Sequence, residues 1–273
     1  MSITKTIFIT GGASGLGREV ARYFADKDWF VGIADINAAG IAETAAMLPD
    51  GMSSRHLLDV TDRDQWARAV EEFGAATNGR MDVMFNNAGI GSGGPIQDME
   101  PAEIDKMIAV NFTGVVSGAQ ACFKMLEATP GSCLLNTASA AGIYGSAGLS
   151  VYSGTKFAVR GMTEAWDIEW EPFDIKVRSL MPGFIDTNIL SAVPNGSNQT
   201  GKEKLESVGI EVSPVEIIGQ AAWDAVHGKK LHTTVNKTAK QLAFMARWFP
   251  KLLRKRAAGL ASGLEDVVES DTP

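Results

Sequence analysis

Short apolar runs alternate with longer stretches of helical spacing along most of the chain. Runs at 6–10, 30–35, 55–58, 82–86, 133–137 and 175–180 read as strands, and segments at 15–27, 38–48, 62–76 and 101–127 place apolar residues on one helical face. A further helical segment runs over 152–171, and a helix near 214–227 and a short strand near 231–235 follow. The strand runs show little alternation of apolar and polar positions, as expected when a sheet is covered on both faces. Strands that alternate with helices in this way predict a doubly wound parallel sheet, an α/β chain of three layers, α/β/α. One domain over 1–237 is the simplest division, followed by a helical tail over 238–273. Residues 188–210, rich in Asn, Ser, Gly and Lys with little periodicity, read as a mobile loop beside a substrate.

Composition narrows the function. Of 273 residues, 45% are hydrophobic and 21% charged, enough for a sizeable core. The net charge of −7 disfavours binding to a phosphate backbone, so nucleic acid is not an expected partner. Cys122 and Cys133 lie in apolar or small-residue stretches and read as buried thiols in a reducing compartment. His56, His227 and His232 lack ligand-spaced neighbours, so no metal site is expected. Residues 1–6 lead straight into an apolar strand with no signal-like segment, and no uncharged run reads as a membrane span. A cytoplasmic protein is the expectation.

Two stretches carry chemistry. The first strand leads into Thr10-Gly11-Gly12-Ala13-Ser14-Gly15-Leu16-Gly17 and then a helix. Such a turn exposes backbone N–H groups and the positive end of a helix to a pyrophosphate, and glycine permits the close approach. Asp35 ends the second strand, 18 residues after Gly17, where a carboxylate can accept from the ribose hydroxyls of a dinucleotide; it can also cap the next helix. Ser14 and Ile36 are not basic, which favours NAD over NADP, and Arg18 is expected to face solvent. Farther along, Tyr152 and Lys156 stand four residues apart, on one helical face about 6 Å from each other at the backbone. Ser139 lies thirteen residues before Tyr152, just past a buried strand.

With these elements in order, the sequence resembles the short-chain dehydrogenase/reductase superfamily over residues 4–187. The likeness rests on Thr10–Gly17, Asp35, Asp59-Val60, Asn86-Asn87-Ala88-Gly89, Asn111, Ser139, Tyr152 with Lys156, and Pro182-Gly183 through Thr187. It implies a Rossmann-like domain and a catalytic tetrad of Asn111, Ser139, Tyr152 and Lys156. It also assigns Gly11, Ser14, Gly15, Leu16, Gly17, Asp35, Asp59, Val60, Asn87, Ala88, Gly89, Pro182, Gly183, Ile185 and Thr187 to the cofactor. Within that set, Asp59 and Val60 would flank the adenine ring, and Ile185 and Thr187 would hold the nicotinamide carboxamide. Tyr152 would act as acid and base, with Lys156 favouring its phenolate and bonding the nicotinamide ribose. Ser139 would donate to the substrate oxygen, and Asn111 would hold a water that links Lys156 to solvent.

The expected activity is NAD-dependent interconversion of a hydrophobic secondary alcohol and its ketone. An NADPH-dependent carbonyl reductase and a non-catalytic NAD-binding regulatory protein are the alternatives. Gly142, Ile143, Tyr144, Leu149 and Phe184 are candidates for the substrate pocket, whose segments at 91–96 and 140–149 contain no Lys or Arg. The family's pairing of long helices implies at least a homodimer through 101–127 and 152–171. The tail departs from the family ending: residues 238–256 hold six cations (Lys240, Arg247, Lys251, Arg254, Lys255 and Arg256) and no acid. Their apolar neighbours form a helical stripe that Pro250 kinks or splits. The tail is expected to pack on the enzyme's own dimer and help close the substrate site, with peripheral membrane contact as the alternative.

Overall fold

The structure is a computed structural model that describes residues 4–187, 201–207 and 212–259. Seven strands form one sheet: β1 (Thr6–Thr10), β2 (Phe30–Asp35), β3 (Ser53–Leu57), β4 (Val83–Asn86), β5 (Cys133–Thr137), β6 (Lys176–Pro182) and β7 (His232–Val235). Their spatial order is 3-2-1-4-5-6-7, and every neighbouring pair is parallel. The helices that join them are α1 (Gly15–Ala25), α2 (Ala38–Ala45), α3 (Arg63–Thr77), α4 (Pro101–Ile108), α5 (Gly114–Glu127) and α6 (Ser150–Trp170). Beyond β6 come α7 (Gly201–Ser207), α8 (Ile217–His227), α9 (Asn236–Trp248) and a last helix over 250–259. The doubly wound three-layer expectation is met.

The sheet is buried on both sides, which explains the unbroken apolar strands. In β1, Ile7 and Ile9 face a core built with Val20, Phe24, Trp29 and α8, while Phe8 faces a second core with Trp66, Phe73 and Leu126. All three β1 side chains are fully buried. Cys122 and Cys133 are buried and unpaired, and burial pushes the Cys133 thiol up to about 12, against the pull of Lys176 and Arg178.

Element edges shift by up to three residues from the sequence reading: α2 ends at Ala45 rather than 48, α8 starts at Ile217 rather than 214, and β3 spans Ser53–Leu57 rather than 55–58. Two differences are larger. The expected helix over 101–127 is interrupted by a π-helical turn at Ala109–Thr113, where Gly114 N donates to Ala109 O. Within the expected loop over 188–210, residues 201–207 form α7, and the rest of that stretch lies outside the described residues.

Because every strand runs the same way, the chain leaves each one at the same edge of the sheet. The path moves outward from β1 to β3, then returns to β4 on the other side of β1. Loops after β1 and β4 therefore diverge and leave a crevice, the place where doubly wound sheets bind ligands. Thr10 holds its two lips together: its hydroxyl accepts from Asn87 N at 3.0 Å and Ala88 N at 3.1 Å. A buried amide chain ties the next layer. Asn86 Nδ2 donates to Asn136 Oδ1 at 3.1 Å, and Asn136 Nδ2 donates to Thr163 Oγ1 at 3.1 Å, which joins β4 and β5 to α6.

Asn136 and Thr163 are fully buried, so Asn136→Ala removes two bonds and opens a polar void. Urea unfolding of that variant is expected to show a loss of about 2–3 kcal/mol. A loss below about 0.5 kcal/mol would mean that the amide chain contributes nothing to holding α6.

Candidate active site

The glycine turn after β1 closes tightly. Gly11 adopts φ +66°, and a Cβ there would lie 2.9 Å from Ala88 Cα. A Cβ on Gly17 would lie 2.1 Å from Gly11 O, so the first turn of α1 packs directly on the loop backbone. Ser14 occupies the N-cap position without capping through its side chain, and no acid sits in the first turn of α1. The leading N–H groups of α1 thus keep their positive field for an anion. A dinucleotide pyrophosphate fits this cradle. A cavity of about 280 Å³ lies beside it, lined in part by Gly15, Arg18, Asp186 and Thr187. Thr187 reaches the loop, since a Cβ on Gly15 would stand 3.6 Å from Thr187 Cγ2.

Asp35 turns toward that loop. Its Oδ2 accepts from Ala13 N at 3.1 Å and its Oδ1 from Asn37 N at 3.0 Å, which leaves lone pairs for ribose hydroxyls. Asn37, not Asp35, caps α2, by accepting from Gly40 N at 3.1 Å. Arg18 does not face solvent as expected. Its guanidinium donates to Thr44 Oγ1 at 3.0 Å, to Ala13 O and to Glu43 Oε2 at 2.8 Å, so it stitches α1 to α2. The sequence could not reveal this, because the partners lie about 25 residues away on another helix. Asp59 is engaged locally, with Oδ1 accepting from Thr61 N at 2.9 Å, while Val60 is buried and its carbonyl accepts from Trp66 Nε1. Asn87 spans the crevice: Nδ2 donates to Thr10 O at 3.0 Å, and Oδ1 accepts from Thr137 Oγ1 at 3.2 Å. Leu16 packs on the core next to α1, Ile185 is buried and bridges to Ser213, and Gly183 lies against Asn236 with no space for a Cβ.

On the other side of the crevice, α6 presents Tyr152 and Lys156 on one face. The Lys156 ammonium lies 5.6 Å from the centre of the Tyr152 ring and donates to Thr137 O at 2.9 Å. Ser139 follows β5 in extended backbone; its Oγ accepts from Ala141 N at 3.1 Å and shares a hydrogen bond with Tyr152. Asn111, fully buried, sits in the middle of the π-helical turn. Its Oδ1 accepts from Ile90 N at 2.9 Å, and its Nδ2 donates to Ile90 O at 2.8 Å and Thr155 Oγ1 at 3.4 Å. A Cβ on Gly89 would meet Asn111 Oδ1 at 3.3 Å and Lys156 Nζ at 3.5 Å, so the three groups converge there. All four tetrad residues therefore meet at the carboxyl edge of the sheet, beside the glycine turn.

Burial moves the two groups in opposite directions in the chain alone. Burial raises Tyr152 above the usual phenol value, opposed by the Ser139 hydrogen bond, and pushes Lys156 down to about 8. Both charged forms lose water there, which disfavours the phenolate and the ammonium alike. Thr137, whose main-chain carbonyl holds Lys156, and Thr155, which meets Asn111, escape a sequence reading. One contributes only backbone, and the other looks like a spacer between Tyr152 and Lys156.

The candidate pocket residues separate into two groups. Gly142 packs on the backbone of α6, where a Cβ would lie 2.7 Å from Lys156 O, and Ile143 packs against a small core with Val115 and Val159. Tyr144, Leu149 and Phe184 are partly exposed. Gly94 N donates to Gly148 O at 2.7 Å, which joins the 91–96 segment to the turn before α6. Among the described residues, no group of His, Cys, Asp or Glu could hold a metal ion.

Lys156 gives a stability test. Its proton leaves at about 8 in the folded chain, below the ~10.4 of a free lysine, so the unfolded chain binds more protons between those values. The cost of burying the ammonium is complete below pH ~8 and fades as pH rises toward ~10.4. Lys156→Met is therefore expected to raise the Tm of the ligand-free chain by about 3–5 °C at neutral pH, and by less near pH ~10. Thermal scans at the two pH values check both signs; a pH-independent difference would place the ammonium in water.

The comparisons agree with this geometry. The family model described as short chain dehydrogenase matches residues 5–198. Probable oxidoreductase EphD of Mycobacterium tuberculosis is 31% identical over 265 residues, covering 92% of this chain and 44% of that protein. The chain thus spans less than half the length of that relative. The 3-alpha-(or 20-beta)-hydroxysteroid dehydrogenase of the same organism is 34% identical over 215 residues, with 79% and 80% of the two chains covered. The structure of 3-ketoacyl-(acyl-carrier-protein) reductase from Brucella melitensis complexed with NADH superposes with a TM-score of 0.75 at 26% identity, covering 86% of this chain and 98% of that one. With its matching family model, parallel sheet and convergent tetrad, the chain belongs to the short-chain dehydrogenase/reductase superfamily.

Proposed function

We propose that the protein is an NAD-dependent oxidoreductase that interconverts a hydrophobic secondary alcohol and its ketone. The observation that carries the reading is the meeting of Ser139, Tyr152, Lys156 and Asn111 beside an uncapped glycine-turn helix. A bound nicotinamide dinucleotide supplies the hydride acceptor or donor. The chain's own residues handle the proton. In the oxidative direction, Tyr152 acts as its phenolate and takes the alcohol proton on Oη, while Ser139 Oγ donates to the same substrate oxygen and holds it in line. Lys156 keeps its ammonium close to the ring and stabilises the phenolate that is present before the proton is taken. Asn111 holds a water that links Lys156 to solvent, while its side-chain amide pins the Ile90 backbone.

NAD is favoured because Asp35 places a carboxylate at the ribose position and the Arg18 guanidinium is already committed to Glu43 and Thr44. The apolar, partly exposed Leu149 and Phe184, together with the hydroxysteroid dehydrogenase relative, support an apolar substrate. Exposed Ile108, Phe112, Phe157 and Ile168 on α4, the π turn and α6 offer a face for a second copy.

Turnover of a panel of apolar secondary alcohols with NAD or NADP, followed through reduced-nicotinamide absorbance, tests the reading. Tyr152→Phe is expected to abolish turnover while dinucleotide affinity stays near wild type. Retention of a tenth of the activity would refute the proton role. Ser139→Ala is expected to lower kcat about 10²-fold. Asp35→Ala is expected to weaken NAD roughly tenfold or more and to admit NADP, as competitive titration would report; a wild type that prefers NADP would overturn the cofactor assignment.

A further inference from the structure

Charge is distributed unevenly along this chain. Residues 236–259 hold seven cations and no acid, whereas the rest of the sequence holds 18 Lys and Arg against 32 Asp and Glu. All seven cations are exposed, and none enters an ion pair among the described residues. Large apolar side chains are exposed among them: Phe244 (56%), Trp248 (62%), Phe249 (49%) and Leu252 (45%).

The two helices are anchored at one end and open at the other. In α9, Asn236 donates to Phe184 O and Ser213 Oγ, and Ala239 is buried against the body of the fold. Past that point the helix carries its bulky residues outward. The chain breaks at Phe249 and Pro250, as the proline predicts, and the following helix keeps only Leu253 buried. The break brings the pieces of one surface together. Phe244 and Phe249 rings lie 5.8 Å apart, Arg247 sits 5.4 Å over Trp248, and Lys240 and Arg256 flank Phe244 and Met245 around a cavity of about 420 Å³. Apolar rings among cations, with no acid between them, form a surface complementary to an anionic interface. A second copy of the same face would bring like charges together, which disfavours self-pairing.

We infer that α9 and the helix over 250–259 form a docking surface for an anionic lipid bilayer, with Phe244, Trp248, Phe249 and Leu252 entering the headgroup region and the Lys and Arg side chains facing acidic headgroups. No described helix is long and apolar enough to cross a membrane, so the contact is peripheral. The position adds a functional consequence that rests on the oxidoreductase reading. α9 starts at the carboxyl end of β7, on the sheet edge that carries the tetrad, and Asn236 holds the Phe184 backbone. Docking there sets the pocket mouth near the bilayer, where an apolar alcohol concentrates.

Sedimentation of the full chain with phosphatidylcholine vesicles, with or without phosphatidylserine, tests the surface without any need for turnover. The protein is expected to pellet only with the anionic vesicles and to be released as salt rises. Lys251→Glu with Arg254→Glu and Lys255→Glu is expected to lower partitioning about tenfold or more, as is Trp248→Gln with Phe249→Gln, while NAD binding reports that both variants are folded. Equal binding to neutral vesicles, no binding at all, or wild-type partitioning by either variant would overturn the inference. A fall in oligomeric state with Trp248→Gln and Phe249→Gln would give the face to a second copy. Binding that emerges only after Glu265, Asp266, Glu269 and Asp271 are neutralised would give it to the chain's own end. If vesicles bind but no alcohol turns over, the docking surface stands and the enzymatic reading fails.

Discussion

Lys156 carries an ammonium group into the interior beside Tyr152, and a single carbonyl, that of Thr137, replaces part of the water it gives up. Much of the surrounding architecture serves this one costly placement. The π-helical turn in the chain after α4 turns Asn111 inward, where its amide pins the Ile90 backbone next to Gly89 and Lys156. Gly89 and Gly142 leave space where side chains would press on Lys156 Nζ or on the backbone of α6. Burial leaves the phenol raised and the ammonium lowered at this site, the kind of perturbed pair that clusters at functional sites.

Rigidity comes from polar groups inside the sheet. Thr10 and Asn87 close the crevice between β1 and β4, while Asn86, Asn136 and Thr163 bind the middle of the sheet to α6. The bonds of Asn136 are shielded from water, so misplacing a partner there leaves a buried polar group unsatisfied. That shielding holds Ser139, just past β5, and Tyr152 on α6 in hydrogen-bond reach although they belong to different elements. At the same edge, the basic helices after β7 place charge of one sign beside a predominantly acidic body. The candidate site and the charged surface share a side of the molecule because a parallel sheet sends every exit to one edge.

The sequence by itself determined the architecture and the main chemistry. Unbroken apolar strands separated by helical segments dictate a parallel sheet, since such strands must be covered on both faces. The glycine turn, Asp35 and the four-residue spacing of Tyr152 and Lys156 are local patterns, and local patterns survive in a string of letters. Pro250 likewise announces its helix break, because its ring cannot continue the hydrogen-bond ladder. Tertiary structure alone decided the rest. The π turn changes the helical period over five residues, too few for periodicity to register. Arg18 was drawn from solvent by partners on α2, Gly142 and Ile143 were turned toward packing, and Thr137 acts through a main-chain carbonyl that no residue type encodes. The direction of the Tyr152 and Lys156 shifts was equally hidden: spacing brings the groups together, but only burial, a property of the whole fold, sets how much water each one loses.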